Sequence, residues 1–391
     1  MAYIYRRGKK WAYRAYAGKD PITGKDKQKS KSGFLTKKDA QLAAAIFERQ
    51  FHKGDYIEPS ALTMKSVCDE WLKHYSVDVK QSSINTRKIA LKHIKANFGD
   101  DPIQKITKMD YQSFIDDMSE KVSNNFVRGI HTTSKLIFEY AKEMKLINSV
   151  PTENIRIPKQ KKTIEDIEDV EDRFLEKDEL EKFLLAAKTN GLDGDLLTFT
   201  TLAYTGLRVG ELLALKWDDI DFQECTLRVS KTYYNLSSKK KDYLLHTPKT
   251  ENSIRTISID PVVVDLMKEY KLEQDKLKQD NAPFYNDNGF IFTTNDGYPK
   301  KLNLISSRLK RLLKIAGIKK NITSHSFRHT HTSLLIEANV HIKEIQERLG
   351  HSDISTTMDI YAHITKDIKK EASTKFSSLM GDLSNSIQDK T

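Results

Sequence analysis

Residues 323–364 read TSHSFRHTHTSLLIEANVHIKEIQERLGHSDISTTMDIYAHI, a stretch whose spacing admits short packed helices and little else. Thr323 or Ser324 can cap a helix that opens at His325. His325 and Arg328 then stand one turn apart on one face, and Leu334, Leu335 and Ala338 run on toward a core. Ile342, Ile345 and Leu349 repeat at helical spacing up to Gly350, which stops that second helix. Ser355, Thr356 or Thr357 can cap a third, bearing Tyr361 near its end. Two imidazoles (His325 and His351), a guanidinium (Arg328) and a phenol (Tyr361) can therefore converge on one point.

That set suits phosphate chemistry. A guanidinium clamps two phosphate oxygens with forked hydrogen bonds. An imidazole takes or shares a proton near neutral pH, and a phenol can attack phosphorus and hold a covalent intermediate. Offsetting the charge of a phosphodiester under attack calls for a second cation. Upstream, TLAYTGLRVGELLALKWDDI offers Arg208, with Gly206 and Gly210 on either side and Glu211 close by.

TGLRVGELLAL, HSFRHTHTSLL and LGHSDISTTMDIYAHI resemble the signature boxes of the tyrosine recombinases, the phage integrase family. The resemblance is strongest to integrases of phages and conjugative transposons of low-GC Gram-positive bacteria. The step from His351 to Tyr361 is one residue longer than is usual in the family, but Tyr361 is the only tyrosine that follows the box. The resemblance implies a multidomain fold. Its parts would be a small three-stranded sheet plus helix that binds arm-type DNA (1–57), an all-α core-binding domain (62–158), a linker (159–172), a mainly α catalytic domain with a small β-sheet and a C-terminal helix (173–380), and a tail (381–391).

Charge points the same way. The 391 residues carry a net charge of +11. Residues 1–57 hold 14 Lys and Arg against 5 Asp and Glu, so most of the excess sits at one end, as in a nucleic-acid module. YIYRR, WAYRAYA and KDKQKSKSGF read as three strands, with GKDPITGK as a turn. Lys25, Lys27, Lys29 and Lys31 alternate and so share one strand face, and Arg14 lies on the middle strand. Thr36 and Asp39 fit a capping box before a helix with Leu42, Ala43, Ile46 and Phe47 on its packing side. Such a sheet can enter a major groove by its open face. The alternative is a solvated basic lid.

GDYIEPSA reads as a linker. Thr63 then caps a helix with Met64, Val67, Trp71 and Tyr75 in register, and Ser82 or Ser83 starts another, through Ile84, Ile89, Leu91 and Ile94, that stops at Gly99. Met109–Met118 and Asn124–Ile147 give two more. Arg87, Lys88, Lys92 and Lys95 are candidate phosphate contacts or simply a solvated face.

Glu176–Lys188 reads as an amphipathic helix, Leu196–Ala203 as a buried one, and Glu211 as the start of an apolar ELLALKW helix. TLRVSKTYY, YLLH and SIRTISI read as strands, with a basic SSKKKD turn. The family bears a lysine on such a hairpin, and TPKTENSIRTISI matches at Lys249, with Lys231 as runner-up. Glu211 matches an acid that supports the arginine. A zinc reading of His325 and His329 lacks the glutamate of an HExxH motif. Cys68 and Cys225 are too few for a disulfide framework.

The resemblance implies a site-specific recombinase that integrates and excises a mobile element. Arg208 and Arg328 would bind the phosphate, Tyr361 would attack it, His325 would assist the proton, Lys249 would protonate the leaving oxygen, and His351 would hydrogen-bond the phosphate. It implies no metal, ATP or other cofactor. The partners implied are double-stranded DNA at core and arm sites, a homotetramer exchanging strands through a Holliday junction, an excisionase and a host DNA-bending protein. Ile364, Ile368, Ala372, Phe376 and Leu379 form a terminal stripe that either packs on its own domain or, as the resemblance implies and a free chain end favours, docks on the next protomer. MAYIYRRGKK has no apolar leader core, and no run is long enough to span a membrane, so the expected place is the bacterial cytoplasm, on the nucleoid. A resolvase or type IB topoisomerase of the same chemistry, and a noncatalytic DNA-binding regulator that keeps the fold, are the alternatives.

Overall fold

The computed structural model describes residues 2–19, 26–53, 56–57, 60–158, 174–235, 237, 239–247 and 254–350. Lys25, Lys249, His351, Tyr361 and the terminal stripe lie outside the described residues. The chain divides into two compact units, Met1–Lys161 and Lys162–Thr391. No helix among the described residues is long and apolar enough to cross a membrane.

The first unit begins with an antiparallel sheet, β1 (Tyr3–Arg7), β2 (Lys10–Lys19) and β3 (Asp26–Phe34), in that order. Helix α1 (Lys37–His52) starts where Thr36 Oγ1 accepts the Asp39 N–H at 3.1 Å. Its packing seam is Ala40, Ala44 and Phe47, and the Phe47 ring lies 6.2 Å from that of Tyr13 on β2. Leu42 and Ile46, expected on that seam, are 64% and 50% exposed. Alanines let the helix come close to the sheet, whereas the larger apolar residues fall on the outer side.

Strand register places the basic residues. Lys31 pairs with Tyr13 and Lys29 with Ala15, and both partners are buried under α1. Directly paired residues point to the same side of a sheet, so Lys29 and Lys31 do share a face, but it is the helix-covered one. Arg14 pairs with Tyr3 on one side and Ser30 on the other, and its guanidinium lies 5.8 Å from the centre of the Tyr5 ring. The open face is therefore built from Tyr3, Tyr5 and Arg14. Lys27 is exposed.

Four helices follow: α2 (Met64–Tyr75), α3 (Gln81–Phe98), α4 (Lys108–Lys121) and α5 (Asn124–Glu143). Trp71, Ile94, Tyr111, Phe114 and Phe138 fill their core. Thr63 caps α2, and Thr107 and Asp110 cap α4 reciprocally. Helix α3 opens at Gln81, ahead of Ser82 and Ser83, and neither serine caps it. Arg87 is half-buried: its Nη1 donates to Thr133 Oγ1 on α5 at 3.1 Å, so it ties two helices together. Lys95 pairs with Asp69, while Lys88 and Lys92 are exposed.

The second unit is mainly helical. Helices α6 (Lys177–Asn190), α7 (Asp195–Thr205) and α8 (Val209–Leu213) precede the strands β4 (Ile220–Asp221), β5 (Thr226–Val229), β6 (Thr232–Asn235), β7 (Tyr243–His246) and β8 (Arg255–Ser258). Helices α9 (Pro261–Asp280), α10 (Leu302–Ile315), α11 (Ser326–Glu337) and α12 (Ile342–Leu349) follow. Phe183, Phe199 and Phe327 meet at the centre, their rings 5.2 to 5.6 Å apart. Truncating a phenylalanine in such a cluster costs about 3–5 kcal/mol, so α11 is anchored by its Phe327 next to Arg328.

The run TLRVSKTYY is two strands: β5 joins β4 and β8, whereas β6, among the described residues, pairs only with β7. The break falls at Ser230 and Lys231, where the lysine turns to grip both Asp219 oxygens at 2.8 and 2.9 Å. The ELLALKW helix shrinks to Val209–Leu213, because the chain leaves it for Leu215 O to accept the Ile291 N–H and Lys216 to bridge to Phe290. Helix α11 opens at Ser326 with His325 as its N-cap and no side-chain cap from Thr323 or Ser324; Ser326 Oγ instead accepts the Thr323 N–H at 3.0 Å, and Ala338, expected toward the core, is exposed beyond the helix end.

Candidate active site

Helix α7 ends at Gly206 in the left-handed conformation, φ +63°. A Cβ there would lie 2.7 Å from His331 on α11 and from Leu349 on α12. Only glycine lets the chain reverse this tightly under both helices, and the reversal delivers Arg208 to the start of α8. At Gly210 a Cβ would meet Thr232 Cγ2 at 2.9 Å, so α8 also lies close against β6.

Arg208 is held by Glu211. Its backbone N–H donates to Glu211 Oε2 at 3.0 Å and its Nη1 to Oε1 at 2.9 Å. The Arg208 side chain stays 41% exposed, while the carboxylate is buried. Arg255 on β8 reaches the same carboxylate, with Nη2 2.9 Å from Oε2 and Nη1 3.4 Å from Oε1. Burial alone would raise the Glu211 pKa, but the hydrogen bonds and charge of Arg255, then those of Arg208, outweigh it and hold the group ionised.

Arg328 is 1% exposed. Its Nη1 donates to Gly206 O at 2.8 Å and its Nη2 to Leu349 O at 2.7 Å. Burial, followed by the charge of Arg208, lowers its pKa to about 9, which leaves it protonated at neutral pH. One turn earlier, His325 sets its ring edge-on to His329, 4.9 Å between centres. Burial, then Arg328 and Arg208, push its pKa below the usual histidine range, and Glu211 offsets this only in part. The structure thus gathers Arg208, His325 and Arg328 from segments more than a hundred residues apart. It describes the chain as far as Gly350, and Lys249, His351 and Tyr361 lie outside the described residues.

Arg255, His331 and Arg348 were not singled out by the sequence patterns. His331 lies buried, with Nδ1 2.8 Å from Ala203 O. Arg348 donates from Nε to His331 Nε2 at 3.1 Å and from Nη2 to Tyr204 O at 3.2 Å. A donor on Nε2 makes the imidazole neutral with its proton on Nδ1, and burial lowers its pKa to about 4. Both ring nitrogens are committed to protein partners, so this histidine binds α12 to α7. Arg255 Nε likewise donates to Arg348 O at 2.8 Å. The two carbonyls ending α12 are therefore each held by a guanidinium, a favourable pairing at the negative end of a helix.

Residues 173–367 match the phage integrase family, residues 3–51 an arm DNA-binding domain, and residues 63–119 a phage integrase N-terminal SAM-like domain. The integrase of Staphylococcus phage L54a is 33% identical over 339 residues, 83% of this chain and 95% of the relative. The ICEBs1 integrase of Bacillus subtilis is 30% identical over 367 residues, 93% of this chain and 95% of the relative. In fold, the chain is similar to the Tn1549 transposon integrase solved in complex with a circular intermediate DNA (TM-score 0.66, 21% identity, 81% of this chain and 99% of that one). It is also similar to a lambda integrase dimer bound to a COC' core site (TM-score 0.57, 19% identity, 91% and 93%).

Proposed function

The chain belongs to the phage integrase family of tyrosine recombinases and is a site-specific DNA recombinase, and from that premise we propose how its own residues divide the chemistry. Arg208 and Arg328 bind the nonbridging oxygens of the scissile phosphate. Tyr361 attacks phosphorus, forming a 3′-phosphotyrosyl bond as the bond to the 5′ oxygen breaks. His325 takes the phenol proton, Lys249 gives a proton to the leaving oxygen, and His351 hydrogen-bonds the phosphate. A transesterification conserves bond energy, so the step needs no nucleotide hydrolysis. The observation that carries this reading is the meeting of Arg208, His325 and Arg328, pinned by the bond from Arg328 to Gly206 O. Lys231, the other candidate acid, is engaged by Asp219, which favours Lys249. The test is covalent trapping on nicked duplexes cut from the ends of the element that carries the gene, with chelator present. A protein–DNA adduct on a denaturing gel is expected, and its absence despite specific DNA binding would sink the reading.

The state of His325 sets a pH dependence. An unprotonated imidazole can accept the Tyr361 proton, and a protonated one cannot. Since burial and two guanidiniums depress its pKa, the acid limb of adduct formation should fall below the pH at which a free histidine titrates. A pH–rate profile checks this. An acid limb at or above that pH, or one unchanged in His325→Gln, would remove His325 from the proton path.

The open face of the N-terminal sheet, with Arg14 among Tyr3 and Tyr5, is the surface we assign to arm-type DNA. Arg14→Ala should weaken binding to arm duplexes by about 1–3 kcal/mol while adduct formation on core duplexes stays at the wild-type rate. Gel shifts on the two duplexes would check this, and equal loss on both would count against it. Lys88 and Lys92 are the exposed candidates for core DNA, whereas Arg87 serves the fold first. A groove of about 1220 Å³ along α6, α7, α9 and α11, lined by Leu184, Leu185, Leu196, Val262, Leu266 and Leu334, suits the apolar terminal stripe of a neighbouring protomer, in keeping with a tetramer on DNA. An excisionase and a DNA-bending protein complete the assembly proposed for integration and excision.

A further inference from the structure

Arg255 has no part in the chemistry above, yet it touches both halves of the site. Glu211 is one negative charge shared by two guanidiniums. Arg255 meets the carboxylate with two nitrogens and is buried with it, the side chains each 6% exposed. Arg208 meets it with one side-chain nitrogen and remains 41% exposed. The buried pair is therefore neutral, and the surplus positive charge sits on the arginine that reaches the surface. Without Arg255, the carboxylate would pair one-to-one with Arg208 and draw that charge inward. The same Arg255 bonds Arg348 O at the end of α12, and a Cβ on Gly350, which caps that helix, would sit 3.3 Å from its Cδ.

We propose that Arg255 is a positioning residue: it keeps the Glu211 carboxylate occupied so that Arg208 faces the scissile phosphate with its full charge, and it pins the end of α12 from which the chain continues to His351. This rests on the transesterification reading given above. The test uses the full chain carrying Arg255→Met or Arg255→Lys, at a temperature where circular dichroism shows each variant folded. Arg255→Met should bind the nicked duplex within about two-fold of wild type and form adduct at least about ten-fold more slowly, since a charged hydrogen-bonded contact is weakened and not the binding surface. On a duplex whose scissile phosphate has a methyl group in place of one nonbridging oxygen, that deficit should shrink, because Arg208 has less charge to meet. Arg255→Lys should recover part of the rate, and it takes the same comparison should the methionine variant not fold. No deficit, or one equal on both duplexes, would overturn the proposal. Wild-type adduct on the same duplex tests the function reading separately. Were there none, calorimetry with inorganic phosphate alone would still decide: wild type binding phosphate more tightly than Arg255→Met supports the proposal, and equal binding overturns it.

Discussion

Tyr361→Phe is expected to abolish the covalent protein–DNA adduct and leave DNA binding unchanged. Phenylalanine keeps the ring and removes only the oxygen that attacks phosphorus, so the loss should reach at least about 10³-fold, the scale on which a deleted nucleophile acts. His363→Ala, two residues on, is the control and should still trap DNA. Denaturing gels on nicked duplexes read the adduct and gel shifts read the binding. An adduct that survives in Tyr361→Phe would mean another nucleophile and would dismantle the assignment from Tyr361 outward.

Arg328→Lys should damage both stability and cleavage. Arg328 spans two helix ends by giving Nη1 to Gly206 O and Nη2 to Leu349 O. A lysine ammonium is a point with three donors and has no planar fork to reach both carbonyls. At least one buried carbonyl would be left unpaired, at about 1–3 kcal/mol. Losing the guanidinium's delocalised charge and remaining donors beside the phosphate should slow adduct formation by about 10²-fold or more. Urea unfolding measures the first effect and trapping well below the melting transition the second. Wild-type stability in Arg328→Lys would contradict the bridging role seen in the structure, and a wild-type rate would show that the guanidinium fork is dispensable to the chemistry.

The gathering of Arg208, His325 and Arg328 was legible because box spacing and helical periodicity agree, and so were the three N-terminal strands. What escaped the sequence was decided by packing. Leu42 and Ile46 outrank alanine in hydrophobicity, so they read as the buried side of α1, but the close approach to the sheet selects Ala40 and Ala44 instead. Lys29 and Lys31 alternate as a basic face should, yet only the register with Tyr13 and Ala15 tells which face that is. TLRVSKTYY alternates without a visible break, and the split comes from Lys231 finding Asp219, a contact no local pattern encodes. Arg255 was the clearest missed signal. It alternates with Ile257 on β8, and both are buried, so the strand pattern itself placed a charge inside. A buried guanidinium demands a partner, and Glu211, already singled out beside Arg208, was the acid available.

One guanidinium joins the end of α7 to the end of α12, with Gly206 and Leu349 as its two anchorages. Fraying of either end costs this guanidinium one of its two bonds, about 1.5–3 kcal/mol, so the same group resists opening at both ends. The turn that presents Arg208 and the last turn of α12 are thus steadied by one residue, and any change at Arg328 reaches both.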